Sequence, residues 1–544
     1  MSSIIKIIIG IFLTLLVILI AFGIISYSVL DSKIPEYSGE HYVSGITQEV
    51  QIFRDNFAVP YIIAENELDV VFALGYVHAQ ERLFQMDMAR RAGEGRLSEI
   101  IGSKTVPFDK MFRTLGLFKT VQKSYDKLNP ISKQYLEAYS KGVNEYIKNA
   151  DGNFTFEFDI LGYDPYPWKP EHSLVIAKLL AWELNISWWT DIVFSHLVQK
   201  LGEEKVAEII PDYDENSPTI IPEKLNSYSE IPLNLYKVDR KFREFSGFVG
   251  THIGSNNWVV NGNKSDSGSV IIANDPHLAH RLPGHFLFAV VRSNEWNGEG
   301  FSIPGLPFFI IGKNQNISWV LTNVMADDSD FYIEKLDSTN THYLLDDEWR
   351  ELNIASDTII VKDSSSVIYD IVKTHRGPII SEIHLYDILY SNEYQNKTTM
   401  SMRWTALDYT DDLYAMISVN KAKNWSDFRK ALKHFTAPGQ NFVYGDIKGN
   451  IGYVCAAKLP LRNNNSPTMV YDGSNSENDW KGFVPYSKMP KLYNPNENFI
   501  ASANNKTVND FPYHISNIWE PASRIDRITE LLKSKETHSA EDFK

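Results

Sequence analysis

The chain has 544 residues, 43% of them hydrophobic and 22% charged, enough for a large folded body of roughly 3–4 domains' length or one intergrown enzyme. Its formal net charge of −15 argues against nucleic acid as a partner, since phosphate binding needs a basic face. A single cysteine, Cys455, excludes an intrachain disulfide and is read as a small buried filler, not a nucleophile.

Residues Ile7 to Ile25 form an apolar run without charge, preceded by Lys6 and followed by Asp31. That length suits a bilayer crossing, and apolar residues on every face disfavour a soluble core helix. Ser26-Tyr27-Ser28 is a weak cleavage signal, so segment 1–27 is a signal peptide or, by its length, an uncleaved membrane anchor. Either places the body outside the cytoplasm, anchored or secreted.

After a polar linker, strands are predicted from Val50 (VQIFRD, then VPYIIA). Residues 66–202 read mostly as helix. Within them Tyr135, Leu136, Tyr139, Val143, Tyr146 and Ile147 share one helical stripe, a core face. Residues 208–254, with Pro211, Pro218, Pro222 and Pro232 and no sustained period, read as a linker that is functional or removable. Strands dominate from Gly254 onward: 258–260, 269–273, 286–291, further strands to 336, then 358–372, 441–446 and 451–457. Helices are predicted near 411–422 and 425–436, and 521–544 reads as a helix still in progress at the chain end. Helices, linker, then a sheet-rich half with helices describe an α+β layered architecture.

No GxSxG elbow, HExxH, P-loop or CxxC is present. Gly93-Glu94-Gly95 lies in helical sequence, not after a strand, and is discarded as a dinucleotide signal. Arg82, Arg90, Arg91 and Arg96 are read as helix-face or packing charges. The junction Gly254-Ser255-Asn256-Asn257-Trp258 stands apart, because the linker meets the first strand there.

The run GSNNWVV, a turn, and then IIANDPHL resembles the start of the mature β chain in the penicillin acylase family. Upstream, RDNFAVPYI (54–62) and GYVHAQERLFQMDMARRAGEGRLSEIIG (75–102) resemble the family's α-chain opening, with Ala58 where Gly is usual and Tyr61 where His is usual. The resemblance implies a four-layer αββα sandwich, the N-terminal-nucleophile hydrolase fold. It implies an α-chain region at 28–207, a spacer at 208–254 and a β-chain region at 255–544, which in the family continues further. It also implies self-cleavage between Gly254 and Ser255, giving an α/β heterodimer.

Chemistry makes sense of that junction. A serine hydroxyl is a poor nucleophile without a base. A freed α-amine, with a pKa of about 7.7–8.0, supplies one on the same residue. The resemblance further implies oxyanion donors at the Val324 backbone (Asn323 the neighbouring alternative) and the Asn441 side chain, from WVLTNVMADDSD (319–330) and NFVYGDIKGNIGYV (441–454). His277 is implied as a support for Ser255, and Arg462 as a support for Asn441 or for a substrate carboxylate. A structural Ca2+ is implied on Asp327, the Ser329 carbonyl and Asp330, with Asp191 from the α chain and Glu183 as the alternative. PGLPFFIIG (304–312) is acyl-pocket wall or plain core. The expected function is hydrolysis of an N-acyl amide, a penicillin or an acyl-homoserine lactone, without an organic cofactor. Two rivals are an inert exported relative that binds acyl ligands and an unrelated Ser-His-Asp hydrolase.

Overall fold

The computed structural model describes residues 3–202, 205, 241–245, 254–278, 281–381, 383, 399–463, 470–516 and 518–544. The first helix, α1 (Ser3–Asp31), is apolar and exposed along its length, and is long enough to cross a membrane by length and composition. It runs past the predicted 7–25 core of the segment. The predicted linker 208–254 lies largely outside the described residues. Its residues 241–245 are helical, and Phe242 is buried edge-on against Phe112 at 4.8 Å.

The helical half comprises α2 (Glu67–Glu94), α3 (Ser98–Ile101), α4 (Val106–Leu115), α5 (Leu117–Tyr125), α6 (Pro130–Ala150), α7 (Phe156–Leu161), α8 (Pro170–Leu184) and α9 (Ser187–Leu201). Asn66 caps α2 by accepting from the Asp69 N–H, and Gly95 ends it in the left-handed region. The predicted tyrosine stripe is the buried face of α6. Arg90 and Arg91 are buried, and both donate to Asp87; Arg90 also stacks on the Tyr166 ring at 3.7 Å. These are packing charges, as the sequence suggested. Ala58 has a φ of 59°, a conformation in which glycine is unstrained, and this explains why glycine is usual there.

One nine-stranded sheet runs in the order β1-β2-β5-β6-β7-β8-β15-β16-β18. Its members are β1 (Gln51–Arg54), β2 (Pro60–Ile63), β5 (Leu287–Arg292), β6 (Asn297–Ser302), β7 (Ile311–Asn314), β8 (Ile317–Asn323), β15 (Gln440–Asp446), β16 (Ile451–Ala456) and β18 (Lys491–Tyr493). A three-stranded sheet, β19-β3-β4, is formed by β3 (Ser255–Val260), β4 (Ile271–Pro276) and β19 (Phe499–Ser502).

Three apolar cores stack in sequence. Leu74, Tyr139, Trp319 and Phe442 join α2 and α6 to one face of the large sheet; α10 (Asp412–Asn420) and α11 (Trp425–Leu432) pack there too. Val259, Val320, Val443 and Ile500 fill the space between the two sheets. Val260, Ala501, Ile525 and Leu532 join the small sheet to α12 (Ser523–Ser534). Cys455 lies in the core between the sheets, and burial pushes its thiol up to about 12, so it stays protonated and inert.

Two element readings change. The stretch 358–372 is a hairpin, β12 (Asn353–Ile359) with β13 (Val367–Lys373). Polar Asp363, at a φ of 55°, makes the turn that the apolar pattern hid. The helix predicted over 521–544 stops at Ser534. The chain then folds back, and the His538 N–H donates to the Lys264 carbonyl at 2.9 Å.

His78 on α2 bridges layers: its ring nitrogens meet Tyr139 Oη at 2.7 Å and Ser302 Oγ at 2.8 Å. Burial drives its pKa down to about 3, so the folded state holds it neutral. The unfolded chain binds that proton near pH 6.5, so the stability contribution is complete above that pH and is lost as pH falls towards 3. In urea titrations, wild-type stability should fall by up to about 1.4 kcal/mol per pH unit more steeply than that of His78→Gln below about pH 6.5. Parallel slopes would show that His78 is not the proton-linked group.

Candidate active site

Ser255 opens β3, the central strand of the small sheet, and is 8% exposed. Its backbone N–H donates to Asn504 Oδ1 at 2.6 Å, and its hydroxyl accepts from Asn504 Nδ2 at 3.2 Å. Asn504 follows the end of β19, which pairs with β3 through Ser502 and Asn257. Asn504 is fully buried, with a φ of 60°. Asparagine tolerates that left-handed geometry better than most residues, and such strained residues concentrate at functional sites.

Arg524, in the first turn of α12, fixes this pair from the other side. One guanidinium nitrogen donates to the Ser255 carbonyl at 2.9 Å and to Asn256 Oδ1 at 2.7 Å, and the other donates to Asn504 Oδ1 at 3.1 Å. Gly254 precedes Ser255 in a tight place, where a Cβ would sit 3.1 Å from both Arg524 Nη2 and His277 Nδ1. The Gly254 carbonyl accepts from the His277 backbone N–H at 2.9 Å.

Several sequence-derived site residues take different positions. Asn441 is buried on β15, where its amide donates towards Thr322 Oγ1, the Asn323 carbonyl and Ser502 Oγ at 3.1–3.3 Å, and its oxygen accepts from Tyr453. It braces the wall behind the site, and the amide facing Ser255 is that of Asn504. The Val324 N–H is taken by the Gly439 carbonyl at 3.0 Å. That bond makes the Asn323–Gln440 pair of β8 and β15 a non-hydrogen-bonded one, so the Asn323 N–H points away from β15. Asn323 lines the same cavity as Ser255, and its carbonyl accepts from Asn504 Nδ2 at 2.9 Å.

The His277 ring meets Asp275 at 2.9 Å and Asn256 at 3.1 Å, and both its Nδ1 and its backbone N–H lie against Gly254. Sequence reading missed Asn504 and Arg524. The available signal was an Asn-Asn pair closing a strand at 504–505, with an arginine opening the next helix.

A cavity of about 140 Å3 opens at Ser255. Leu128, Leu174, Leu278, Ile303, Leu321 and Met416 line it, with Leu306, Phe308, Ile310 and Ile311 from the predicted pocket stretch. Phe309 from the same stretch is fully buried core, so both readings of 304–312 hold, residue by residue.

The acidic loop forms a second cluster. Carboxylate oxygens of Asp191, Asp327 and Asp330 lie within 4.8 Å of one another, all buried. Glu183 lines the cavity instead, and Ser329 Oγ meets Ser187 Oγ at 2.7 Å. Arg462 belongs to this cluster and not to Asn441, with Nε on Asp330 Oδ2 at 2.8 Å and Nη2 on Asp327 Oδ2 at 3.1 Å. Burial, and then the Asp327 and Asp330 charges, hold Asp191 well above the usual carboxylate range. Asp327 Oδ1 and Asp330 Oδ1 are buried without a hydrogen-bond partner. Arg462 and the His514 ring, whose Nε2 lies 3.1 Å from Asp327 Oδ2, face the three carboxyl groups, and the two orphaned oxygens are of the type a hard divalent cation takes as ligands.

The sequence profile of the family described as penicillin amidase matches residues 49–544. The acyl-homoserine lactone acylase QuiP of Pseudomonas aeruginosa is 28% identical over 521 residues, covering 94% of this chain and 61% of that protein. Penicillin acylase 2 proenzyme of a Pseudomonas species is 27% identical over 524 residues, covering 94% and 66%. Penicillin G acylase of Escherichia coli is 27% identical over 549 residues, covering 90% and 63%. The chain thus spans about three-fifths to two-thirds of the length of these relatives. Among solved structures, the thermostable penicillin G acylase of Alcaligenes faecalis aligns with a TM-score of 0.47 at 23% identity, covering 53% of this chain and 50% of that one. Because the profile match spans residues 49–544, most of the chain, the chain belongs to the penicillin amidase family.

Proposed function

We propose that this protein is a self-processing serine amidohydrolase that cleaves N-acyl amides through an acyl-enzyme on Ser255. The observation that carries the reading is the double contact of Asn504 with the backbone nitrogen and the hydroxyl of Ser255 at the mouth of an apolar cavity. The stacked order of helices, large sheet, small sheet and α12 supports a four-layer sandwich of the N-terminal-nucleophile type.

Processing begins when Ser255 Oγ attacks the Gly254 carbonyl carbon. The His277 N–H already holds that carbonyl oxygen and stabilises the charge it gains. The C–N bond breaks, the hydroxyl proton passes to the departing nitrogen, and water cleaves the resulting ester. The freed Ser255 amine then serves as base. Asn504 Oδ1 accepts from it, and the nearby Arg524 guanidinium disfavours its protonated form, which keeps it a base near neutral pH.

In turnover the amine takes the hydroxyl proton while Oγ attacks the substrate amide carbon. Asn504 Nδ2 and the Asn323 N–H hold the oxyanion. The proton passes to the leaving amine, and water releases the acid and restores Ser255. The N-acyl substrates named for the relatives, penicillins and acyl-homoserine lactones, both fit this reaction. The intact site gives no support to an inert relative. The apolar helix α1 supports a body anchored or secreted outside the cytoplasm.

The acidic cluster fits a calcium ion held by Asp191, Asp327 and Asp330. Such an ion joins α9, in the α-chain region, to β9 (Ser329–Ile333), in the β-chain region.

Intact-mass analysis and N-terminal sequencing of expressed protein test the proposal. Wild type should give two chains, one starting Ser-Asn-Asn-Trp, and Ser255→Ala one uncut chain; an uncut, folded wild type would remove the mechanism. Asn504→Ala should cost about 10²–10³ in kcat. Asn441→Ala should instead lower Tm, by leaving its buried donors and acceptors unpaired, with kcat less affected. The reverse pattern would return the oxyanion role to Asn441. Chelator should lower the wild-type Tm and leave that of Asp191→Asn unmoved; equal Tm values with and without chelator would rule the ion out.

A further inference from the structure

The segment after α1 is seated on the body within a few residues. The Ser32 carbonyl, one residue past the helix, accepts from Asn153 Nδ2 at 2.9 Å, and Lys33 Nζ pairs with Asp159 Oδ2 at 2.8 Å. Further on, the Glu36 carbonyl accepts from Gln80 Nε2 at 3.0 Å, and the Arg54 guanidinium lies over the Tyr37 ring at 4.4 Å. The foot of α1 is thus held to the body at four places, two of them on α7 and the turn that precedes it.

Helix α7 is packed from one side only. Phe158 is buried, edge-on to Phe84 of α2 at 5.4 Å, whereas Phe156 is 43% exposed and Ile160 73%. Residues three and four apart share a helix face, so Phe156, Asp159 and Ile160 lie together. Asp159 is the partner of Lys33, and this face therefore borders the foot of α1. Single exposed apolar residues are ordinary on a soluble surface, so the position of these two matters more than their exposure. Helix rise puts Ser32 about 10 Å past Ile25, the end of the apolar run, at the outer edge of a headgroup layer. Helix α1 itself buries no residue against the body.

We propose that the exposed face of α7, carrying Phe156 and Ile160, is a membrane-contact surface that enters the lipid headgroup layer beside α1. The surface rests on the reading of α1 as a membrane anchor and adds to it an orientation of the body. An aromatic and an aliphatic side chain at headgroup depth bury apolar area while the helix backbone stays hydrogen-bonded. The Lys33–Asp159 pair brings both of its charges to that depth already matched. One spanning contact and one interfacial contact together set the tilt of the body, which a spanning helix on a free tether would leave open.

Cys455 is buried in the core, so one added surface cysteine takes a thiol-reactive fluorophore alone. The test reconstitutes the full-length protein in phosphatidylcholine vesicles that carry a spin-labelled lipid as quencher. The fluorophore sits on Ile160→Cys, on Leu19→Cys within α1, or on Leu531→Cys, an exposed position of α12 in the opposite outer layer. Position 19 should be strongly quenched, and position 160 at least about twofold more than position 531. Adding Phe156→Ser to the Ile160→Cys protein should reduce the quenching at 160. Quenching at 19, with 160 no different from 531, would overturn the contact surface and keep the anchor. Quenching at 160 that Phe156→Ser leaves unchanged would show nearness without insertion and would also overturn it. Absence of quenching at 19 would sink the anchor reading, and this surface with it.

Discussion

The register of β3 is the constraint on which the site depends. Ser255 pairs with Pro276 on one side, and two residues on Asn257 pairs with Ser502 on the other. Side chains alternate along a strand, so a slip of one residue would turn Ser255 from the interior to the opposite face and carry Asn257 with it. The register is held by apolar residues further along the same strand. Val259 enters the core between the sheets, and Val260 enters the core under α12. Ser255, the strand's first residue, is thus positioned by ordinary packing four and five residues away. Upstream of Ser255 the same register continues for one more bond, from the His277 N–H to the Gly254 carbonyl.

Asn504 and Asn441 divide two tasks that one amide cannot perform together. Both donate to the carbonyl of Asn323, from different sides. Asn441 makes its other contacts with Thr322, Ser502 and Tyr453, whereas Asn504 makes its own with Ser255 and Arg524. Asn504 keeps its amide towards Ser255 because its own backbone bends into the left-handed region just past the strand end. Asn441 therefore holds the end of β8 in place, and Asn504 uses that placement. Such layering of one buried amide behind another is how a constellation of side chains is kept within a small tolerance.

Much of this architecture was legible in the residues. Helix α6 declares itself through apolar positions at helical spacing, and β3, β4 and β5 through short β-rich runs separated by turn residues. Ser255 stood out in the sequence because the residues around it form one continuous motif at the linker's end. Asn504 was not, because it lies 249 residues from the serine it touches, and a buried asparagine at a strand end has the same local appearance wherever it points. Asn441, at the head of a strongly patterned hairpin, is the more conspicuous of the two. Val324 illustrates the same limit on a smaller scale. Which of two adjacent N–H groups faces the cavity is decided by the partner of β8, and the Gly439 carbonyl takes that of Val324. Arg462 was placed by its position after a strand, whereas its guanidinium pairs with the carboxyl groups of Asp327 and Asp330.

Arg524 links the two states that the proposed function requires. With the chain intact it sits where any side chain on residue 254 would intrude, so glycine there is a consequence of the arginine. Its donors grip the Ser255 carbonyl and the Asn504 oxygen, two acceptors that cleavage of the Gly254–Ser255 bond leaves chemically unchanged. The Ser255 nitrogen donates to Asn504 before cleavage as an amide and afterwards as an amine. No side chain has to move for the product of processing to become the base of catalysis. What changes is the nitrogen's lone pair, delocalised into a carbonyl before the cut and free to accept a proton after it. In the proposed reaction one residue, Arg524, thus holds both the Ser255 carbonyl and the Asn504 oxygen that accepts from this nitrogen.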